Sequence, residues 1–439
     1  MSARVAAKRA ALLGAWLGIV SAAACRPGEV ARGAPPGRAP ESPRGPVTPE
    51  GLPATAPTVT IGILVDTSSV DVGATSPYTI VDGGGVTLAT AAATTTWRVV
   101  AAGGGLAAVS SDRERAATSS RTLRVVPTEG GRVRIGSREY RGEALVRTVG
   151  SNVTAINVVE MEAYLLAVVT REIGRRPSGE IEAVKAQAVA ARTYAIGNLG
   201  ARSSQGFDLY ATVFDQVYGG TADEDTVATR AVLETRGEIL TYEGQPIIAY
   251  YSSTCGGRTA DIEDSWPWRG PQPYLKSTSD RRAGGDGHYC DTSSRFEWTT
   301  TWTRDSLISM LGETLALHTG GAARVVQRVG SVRIIDRNDS ERATVALNAD
   351  GTEYLLRSDS LRWVLRPRAG PALLNSSYLR DIRAEASGGE VNHLEIDGHG
   401  WGHGIGMCQV GAMGRARDGQ SYEEILKAYY RGVEVERLY

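Results

Sequence analysis

The sequence has no excess of charge of either sign. Its 439 residues include 48 Lys and Arg against 49 Asp and Glu, which gives a formal net charge of −1. Proteins that hold nucleic acid or lie on an anionic membrane surface use a basic field to do so. The absence of such a field argues against nucleic acid as a partner. The hydrophobic content of 42% is ample for a buried core in one large domain or in two to three smaller ones.

Long hydrophobic runs are also scarce. The apolar run near the N-terminus, AALLGAWLGIVSAAAC, is too short to span a bilayer as a stable helix, but it follows a basic start and fits a secretory signal peptide over residues 1–25. The run ends in AAAC, which resembles a bacterial lipobox, although Ala22 stands where Leu is usual. We therefore expect a lipid on Cys25, with simple cleavage of the signal as the alternative. The protein would then be an exported lipoprotein, anchored on the outer side of the cytoplasmic membrane or, in a periplasm, at the outer membrane.

The rest of the chain divides into a tether and a folded part. Residues 26–57 hold nine of the eighteen prolines and few large apolar side chains, which is typical of a semi-extended linker. The folded domain is expected over residues 58–439. Its predicted parts are a β-rich unit (58–150), a central catalytic part (151–295), an α+β subdomain (296–370) and a C-terminal part with a glycine-rich loop (371–439).

Hydrophobic periodicity predicts an α+β fold of mixed type. Short runs such as VTIGILVD and TLRVVP alternate in period two and predict strands. VVEMEAYLLAVVTREIG predicts a helix that Gly174 ends. The alanines of SGEIEAVKAQAVAARTYAIGNLG predict a second helix smooth enough for other backbones to approach closely, and therefore central. A further helix is expected from about Arg304 to Leu317, followed by strands with turn signals at Asn338-Asp339 and Asp350-Gly351.

Glycine is concentrated in one stretch, DGHGWGHGIGMCQVGAMG (Asp397–Gly414). His399 and His403 have the spacing of zinc ligands on a helix, but the glycines between them disfavour a helix and no Glu lies between them. A dinucleotide-binding fingerprint fails because Met407 stands where the third glycine is required. Two interpretations stay open at this point. The stretch either presents backbone N–H groups to a ligand or makes a tight crossover that requires small residues.

Cysteine is scarce as well: besides Cys25 the chain has Cys255, Cys290 and Cys408. An exported protein meets an oxidising environment, and Cys255 and Cys290 flank one surface excursion. We expect these two to form a disulfide and Cys408 to be buried and free. His288 lies near Cys290, but neither a metal site nor a cofactor is predicted.

Five ordered blocks of the sequence carry a resemblance. They are VVEMEAYLLAVVTREI, EAVKAQAVAARTYAI, FDQVYGG, GQPIIAYYSSTCGGRTADIEDSW and GHGWGHGIGMCQVGAMGRARDGQSYEEILKAYY. In these blocks the chain resembles the SpoIID/LytB family of bacterial cell-wall proteins, from about residue 58 to the C-terminus with interruptions. The resemblance implies peptidoglycan as the target. Family members related to the sporulation protein are lytic transglycosylases that prefer glycan strands stripped of stem peptides, and others are described as amidase enhancers.

The resemblance also implies a catalytic residue. In the family it is the Glu of an (S/G)EMP-like motif after the first helix, and the matching residue is Glu172 in TREIG. Ile173 and Gly174 replace the usual Met-Pro, which keeps one apolar neighbour and alters the turn. Some members bind zinc through Cys and His in the block before QVYGG, but FDLYATVFDQVYGG has neither residue type, so zinc is not expected there.

A single carboxyl group is sufficient for lytic transglycosylation, whereas an ordinary glycoside hydrolase needs two, about 5–9.5 Å apart. For Glu172 to be protonated at neutral pH its pKa must be raised by burial, and the adjacent Arg171 must point away. Asp264 is the reserve candidate for a second carboxyl group. Glu160 and Glu162, about three turns back on the same predicted helix, are expected to be solvated or structural.

The other blocks are predicted to line a glycan groove. The predicted contacts are Lys185, Gln187, Arg192, Gln216, Tyr218, Ser252, Ser253, Gly256, Gly257, His403, Gly404 and Gln409. Buried structural hydrogen bonding is an equal alternative for each, and a helix-packing salt bridge is the alternative for Lys185 and Arg192. In this interpretation the glycine-rich stretch is a wall of the groove, with backbone amides facing saccharide.

The sequence thus predicts an enzyme that cleaves peptidoglycan glycan strands and leaves 1,6-anhydro-MurNAc ends, with Glu172 as general acid and base. The alternative is a non-catalytic peptidoglycan-binding activator of an N-acetylmuramoyl-L-alanine amidase. A zinc hydrolase, the third option, would need a bound metal. The predicted partners are glycan strands, the amidase under the alternative, and a membrane through the N-terminal lipid.

Overall fold

The computed structural model describes residues 55–118, 120–319, 325–368 and 372–439 of the chain. The predicted signal peptide, Cys25 and all but the end of the predicted linker lie outside the described residues. In the described part, no helix is long and apolar enough to cross a membrane. Helices and several β-sheets are mixed along the chain, which confirms the predicted α+β class.

Strands dominate the chain up to residue 160. They are β1 (Thr58–Thr67), β2 (Val70–Ala74), β3 (Tyr78–Asp82), β4 (Thr87–Ala91), β5 (Thr96–Ala102), β6 (Gly105–Ser110), β7 (Arg115–Thr118), β8 (Thr122–Pro127), β9 (Val133–Ile135), β10 (Arg138–Tyr140), β11 (Glu143–Val149) and β12 (Asn152–Glu160), with the later β13 (Leu209–Tyr210). One sheet has the order β13-β1-β12-β11-β8-β3-β4 and a second has the order β10-β9-β2-β5-β6-β7. Alternate side chains such as Ala144 and Val146 in β11 are fully buried, as the two-residue period of a strand requires.

Two helices follow the β-rich part, α1 (Met161–Ile173) and α2 (Ile181–Gly197). α1 begins directly after β12 because the Glu160 side chain accepts the Ala163 N–H at 3.0 Å. Glu160 is therefore the N-cap of α1 and the end of a strand, and its predicted place inside the helix is wrong. α1 ends at Gly174, with φ 77°, as predicted. α2 is central, as predicted, because its alanines are buried on all its faces.

Short elements and loops follow α2. They are α3 (Thr226–Glu234), β14 (Glu238–Tyr242), β15 (Gln245–Pro246), β16 (Tyr251–Ser252) and α4 (Ile262–Ser265). Most of the chain between these elements is irregular, and it contains several of the residues predicted for the site.

A second hydrophobic core begins at Trp298. Its elements are β17 (Glu297–Thr303), α5 (Arg304–Thr319), β18 (Val329–Arg337), β19 (Ala343–Ala349), β20 (Thr352–Leu356), α6 (Ser360–Val364), β21 (Leu379–Ser387) and β22 (Glu390–His399). They form the sheets β17-β22-β21 and β18-β19-β20. The predicted helix from Arg304 is present, and Asp350 and Gly351 make the predicted turn with φ of 50° and 80°. This core continues to Ile396, so β21 and β22 pack with it.

The C-terminal elements bring the glycine-rich stretch to the centre of the molecule. They are β23 (Met407–Cys408), α7 (Gln409–Arg417), α8 (Tyr422–Tyr429) and β24 (Glu434–Arg437). β23 pairs in parallel with β16, so that Tyr251 lies opposite Met407 and Ser252 opposite Cys408. α2 packs against α1, α3, α7 and α8. Around α2, the topology therefore joins segments that are far apart in sequence.

Candidate active site

Glu172 lies in the last turn of α1, and this turn contacts the loop residue Val217. Its Oε1 accepts the Val217 N–H at 2.6 Å, and the residue is half-buried. The helix stops two residues later because Gly174 takes a positive φ and donates its N–H to Thr170 O at 2.9 Å. Local structure thus fixes both the position of the carboxyl group and the direction in which it points.

The environment of Glu172 favours its protonated form. Burial raises the pKa of the Glu172 carboxyl from 4.5 to about 7, and the Val217 N–H offsets this only in part. The arginines nearest in sequence are each held by another carboxylate. These pairs are Arg171 with Asp223 at 3.6 Å, Arg175 with Asp225 at 3.0 Å and Arg176 with Glu180 at 3.7 Å. The condition that Arg171 points away from the carboxyl group is met.

Two phenols that were not predicted as site residues lie beside Glu172. Burial first, and then the Glu172 carboxylate, raise the pKa of both Tyr164 and Tyr251 well above the usual value for a phenol. Tyr164 donates to Gln216 Oε1 at 3.1 Å, and Gln216 Nε2 donates to the Tyr251 hydroxyl oxygen at 3.1 Å. The sequence signal for Tyr251 was its place directly before the predicted Ser252.

The glycine-rich stretch reaches the site through Gln409. Its Nε2 donates to the backbone oxygen of Glu172 at 3.2 Å and to Gln187 Oε1 at 3.1 Å. Gln187 Nε2 and Ser252 Oγ are buried, and no protein partner is assigned to either atom within the described part of the chain. The structure therefore brings Glu172, Gln187 and Gln409 together, although these three residues are far apart in the chain.

Several residues predicted to contact glycan are instead bonded to other protein groups. Arg192 is fully buried and makes a bidentate pair with Glu162, at 2.8 and 2.7 Å. Tyr218 is buried and donates to Asn157 Oδ1 at 3.0 Å. Lys185 forms salt bridges with two glutamates, Glu182 and Glu234, each at 2.9 Å. For Arg192, Tyr218 and Lys185 the alternative interpretation is the correct one, because α2 is surrounded by protein and its polar groups find partners there.

His403 is also a structural residue. Its Nε2 donates to Tyr251 O at 3.0 Å, and its Nδ1 accepts the Ile405 N–H at 3.0 Å. Burial lowers the pKa of His403 to about 4, so the ring is neutral in the tautomer that these two bonds require. Both ring nitrogens are engaged in hydrogen bonds within the protein. The predicted contact of His403 with saccharide is therefore wrong.

The amides of the glycine-rich stretch turn into the protein and not towards a groove. Gly400 N–H donates to Phe296 O at 2.9 Å, Trp401 N–H to Thr254 O at 2.7 Å, and Gly402 N–H to Asn375 O at 2.9 Å. The predicted wall of ligand-facing amides is therefore wrong for these three positions. The glycine-rich stretch is instead a tight crossover that requires small residues, which was the second of the two interpretations.

The remaining glycines predicted to contact glycan, and Ser253, lie where backbone segments pack closely. A Cβ at Gly256, where φ is 72°, would lie 2.8 Å from Gly400 N, and one at Gly257 would lie 2.9 Å from the His288 ring. A Cβ at Gly404 would lie 2.5 Å from Arg342 Nη2. Ser253 O accepts the Val410 N–H at 3.0 Å. These positions need small residues because segments cross there.

The predicted disulfide is not formed. The Cys255 and Cys290 sulfurs lie 3.6 Å apart, whereas a disulfide bond is about 2.05 Å long, and all three described cysteines are free thiols. Cys408 is fully buried as predicted. It lies close to Cys255 and Cys290, and the Asp280 carboxyl group lies in the same cluster.

A pair of tryptophans beside His403 was missed. Trp268 is 64% exposed and stacks on Trp266, whose ring lies 4.7 Å from that of His403. The signal was present in the sequence as two tryptophans flanking Pro267. Asp264, the reserve candidate for a second carboxyl group, lies in α4, and burial raises its pKa. Its neighbours include Ser340 and Asp261.

Comparison with known proteins identifies the family. A profile described as Stage II sporulation protein matches residues 149–242, which include Glu172. The Stage II sporulation protein D of Bacillus amyloliquefaciens is 30% identical over 299 residues, which cover 64% of this chain and 75% of that protein. The chain belongs to the SpoIID family. An uncharacterised protein of Brachyspira hyodysenteriae is 32% identical over 298 residues, 68% of this chain and 72% of that protein.

A further relative is an amidase enhancer. The amidase enhancer of Bacillus subtilis is 29% identical over 282 residues, which cover 58% of this chain and 38% of that protein. The chain therefore spans well under half the length of this relative. With the family established, the function of the protein is related to the cell wall.

Gly406→Ala should destabilise the fold. Gly406 has φ 68°, and a Cβ there would collide with the backbone oxygen of Tyr250. We expect a loss of about 2–4 kcal/mol in the free energy of unfolding, measured by urea denaturation. Gly388→Ala is the matched control, because φ is 65° there and nothing lies within 4 Å of the added atom; it should cost about 1 kcal/mol. Equal losses would show that the crossover has room at Gly406.

Glu172→Gln should stabilise the protein at alkaline pH. The unfolded carboxyl ionises near pH 4.5 and the folded one near 7, so the wild type loses stability as pH rises between these values and the amide does not. The difference in unfolding free energy should grow by on the order of 2 kcal/mol between about pH 4 and pH 8. A difference for Glu172→Gln that is constant with pH contradicts the burial of this carboxyl group.

Proposed function

We propose that the protein cleaves the glycan strands of peptidoglycan by lytic transglycosylation, with Glu172 as general acid and base. The observation that carries the proposal is a single carboxyl group whose pKa is raised by burial to about 7, at the position that matches the catalytic Glu of the family. A group with a pKa near the working pH serves well both as a donor and as an acceptor of protons.

The first step requires the protonated carboxyl group. Glu172 gives its proton to the glycosidic oxygen, and the bond between that oxygen and C1 of MurNAc breaks, which leaves positive charge on the sugar ring. The carboxylate that remains accepts the Val217 N–H, at 2.6 Å in this structure. This hydrogen bond stabilises the charge that develops on Glu172.

The second step returns the proton. The Glu172 carboxylate takes the proton of the C6 hydroxyl, and the C6 oxygen bonds to C1 to give a 1,6-anhydro ring. Water is not consumed, and Glu172 is protonated again for the next turnover. This reaction does not require a second catalytic carboxyl group, because one residue serves twice.

The surroundings supply groups that suit a sugar polymer. Exposed Trp268, stacked on Trp266, offers an apolar face of the kind that lines ligand sites. The buried phenols of Tyr164 and Tyr251 lie close enough to Glu172 for its charge to raise their pKa. Export and a lipid on Cys25 belong to the same proposal, since both would bring the domain to the cell wall.

The second candidate function is activation of a cell-wall amidase without catalysis. It is favoured by the name of the amidase enhancer relative and by Ile173 and Gly174, which replace the Met-Pro of the family motif. In this case the domain would bind peptidoglycan and a partner amidase, and Glu172 would not change protonation during function.

Glu172→Gln should abolish strand cleavage. The amide keeps the shape of the side chain but cannot donate a proton, so release of soluble glycan fragments should fall by at least about 10²–10⁴-fold while binding to strands persists. The measurement is mass spectrometry of products from intact and peptide-free strands. Glu160→Gln, on the same helix, is the matched control and should retain activity.

The products distinguish the alternatives. Ends of 1,6-anhydro-MurNAc support the proposal, and reducing MurNAc ends would indicate a hydrolase with a second carboxyl group. If the wild-type protein releases no fragments from either substrate but accelerates an added amidase, the second candidate function replaces the first.

The pH profile of the wild type should have one falling limb. Because the reactive form of free Glu172 is protonated and its pKa is about 7, kcat/KM should be constant below that pH and fall tenfold per pH unit above it. Initial rates on peptide-free strands between about pH 5 and pH 9 would test this. A bell-shaped profile with a second limb on the acidic side would indicate a separate catalytic base and contradict the one-residue mechanism.

A further inference from the structure

Three cysteines and one aspartate meet in the interior, away from any role described above. Cys255, Asp280, Cys290 and Cys408 are all buried, and their ligand atoms lie within 4.8 Å of one another. We propose that these four residues bind one Zn²⁺ ion as a structural site. The inference does not depend on the proposed function.

The spacing fits a tetrahedral ion. With Zn–S near 2.3 Å and Zn–O near 2.0 Å, two sulfurs on one zinc are about 3.8 Å apart, and a sulfur and an oxygen are about 3.5 Å apart. The Cys255 and Cys290 sulfurs are 3.6 Å apart, and Cys255 Sγ is 3.7 Å from Asp280 Oδ2. An iron–sulfur cluster would spread its ligands over several irons, so the compact set fits one ion.

The groups around the ligands orient them. The Cys408 sulfur accepts the N–H groups of Cys255 at 3.1 Å and Gly411 at 3.3 Å, which stabilise a thiolate. Asp280 Oδ1 accepts the Tyr429 hydroxyl at 2.6 Å. This contact leaves Oδ2 to face the sulfurs.

Charge supports the assignment. When the three thiols lose their protons to a metal, the four groups carry four negative charges, and buried protein tolerates these only if cations compensate them. Zn²⁺ offsets two charges and Arg415, 3.5 Å from Asp280 Oδ1, offsets a third. Thiolate ligands in a tetrahedral set favour zinc over magnesium or calcium. Binding to three thiols releases three protons to solvent.

A disulfide between Cys255 and Cys290 is the competing state. It would use two of the four groups and leave the Cys408 thiol buried next to a carboxylate. The metal uses all four groups and accounts for the presence of Asp280 among the sulfurs. The site would link the loop after β16, the segment 280–290 and the start of α7, where Gln409 contacts Glu172.

The test is the metal content of the full-length chain, purified without chelator and measured by elemental mass spectrometry. We expect about one zinc per chain, and at least a tenfold lower content in Cys290→Ser and in Asp280→Asn. Asp215→Asn is the control for the loss of an aspartate, because Asp215 pairs with Arg202 at 2.8 Å and is not one of the four clustered residues. This control should retain the metal.

A second measurement keeps the proposal testable if the cluster variants fail to fold. Wild-type protein reconstituted with Co²⁺ should show sulfur-to-cobalt charge-transfer bands and the intense visible bands of a tetrahedral site. Wild-type protein without zinc and without these bands would overturn the proposal. A protein mass that is two hydrogens lower, with Cys255 and Cys290 cross-linked, would also overturn it. Zinc that persists in a folded Cys290→Ser variant would do the same.

Discussion

The active-site proposal depends on keeping one carboxyl group away from positive charge. Glu172 lies between arginines at 171, 175 and 176 in the sequence, and a guanidinium within about 4–6 Å would lower a carboxyl pKa by 1–3 units. The acidic residues Asp223, Asp225 and Glu180 prevent this by holding the three arginines. The loop that contains Asp223 and Asp225 also follows Val217, whose N–H bonds to Glu172. The same loop therefore orients the carboxyl group and removes its competing cations.

Helix α2 is the scaffold for this arrangement, and it shows why the ligand predictions failed. Polar residues on an alanine-rich helix were expected to face a groove, yet Arg192 pairs with Glu162 inside the protein. Removing one partner of such a buried pair destabilises the fold strongly, because it leaves the other charge buried and uncompensated. A sequence shows that a residue is polar, but it does not show whether its partner is a sugar or another side chain. Gln187 and Gln409 meet where α1, α2 and α7 converge, and their predicted contact with glycan stays a prediction.

Local signals in the sequence were reliable, and long-range ones were not. The strand alternation, the end of α1 at Gly174 and the helix from Arg304 all follow from interactions within a few residues. The cysteines show the limit. Cys255 and Cys290 are 35 residues apart and were paired by their positions in the chain, whereas Cys408 joins them from 153 residues away. It does so because β23 pairs in parallel with β16, a register that no local pattern encodes.

The departure from the family motif after Glu172 has a physical explanation in this fold. Ile173 is 4% exposed, so it fills the apolar space next to the carboxyl group as a methionine side chain would. Gly174 ends α1 with φ 77° and donates its N–H to Thr170 O, a hydrogen bond that proline cannot make. Proline ends a helix by removing a donor, and here glycine ends it by reversing φ. Both residues stop α1 directly after the carboxyl group, and the hydrogen bonds to Val217 and Gln409 then hold the last turn in place. The proposed acid role of Glu172 therefore requires that α1 stops directly after this residue, and Gly174 meets that requirement.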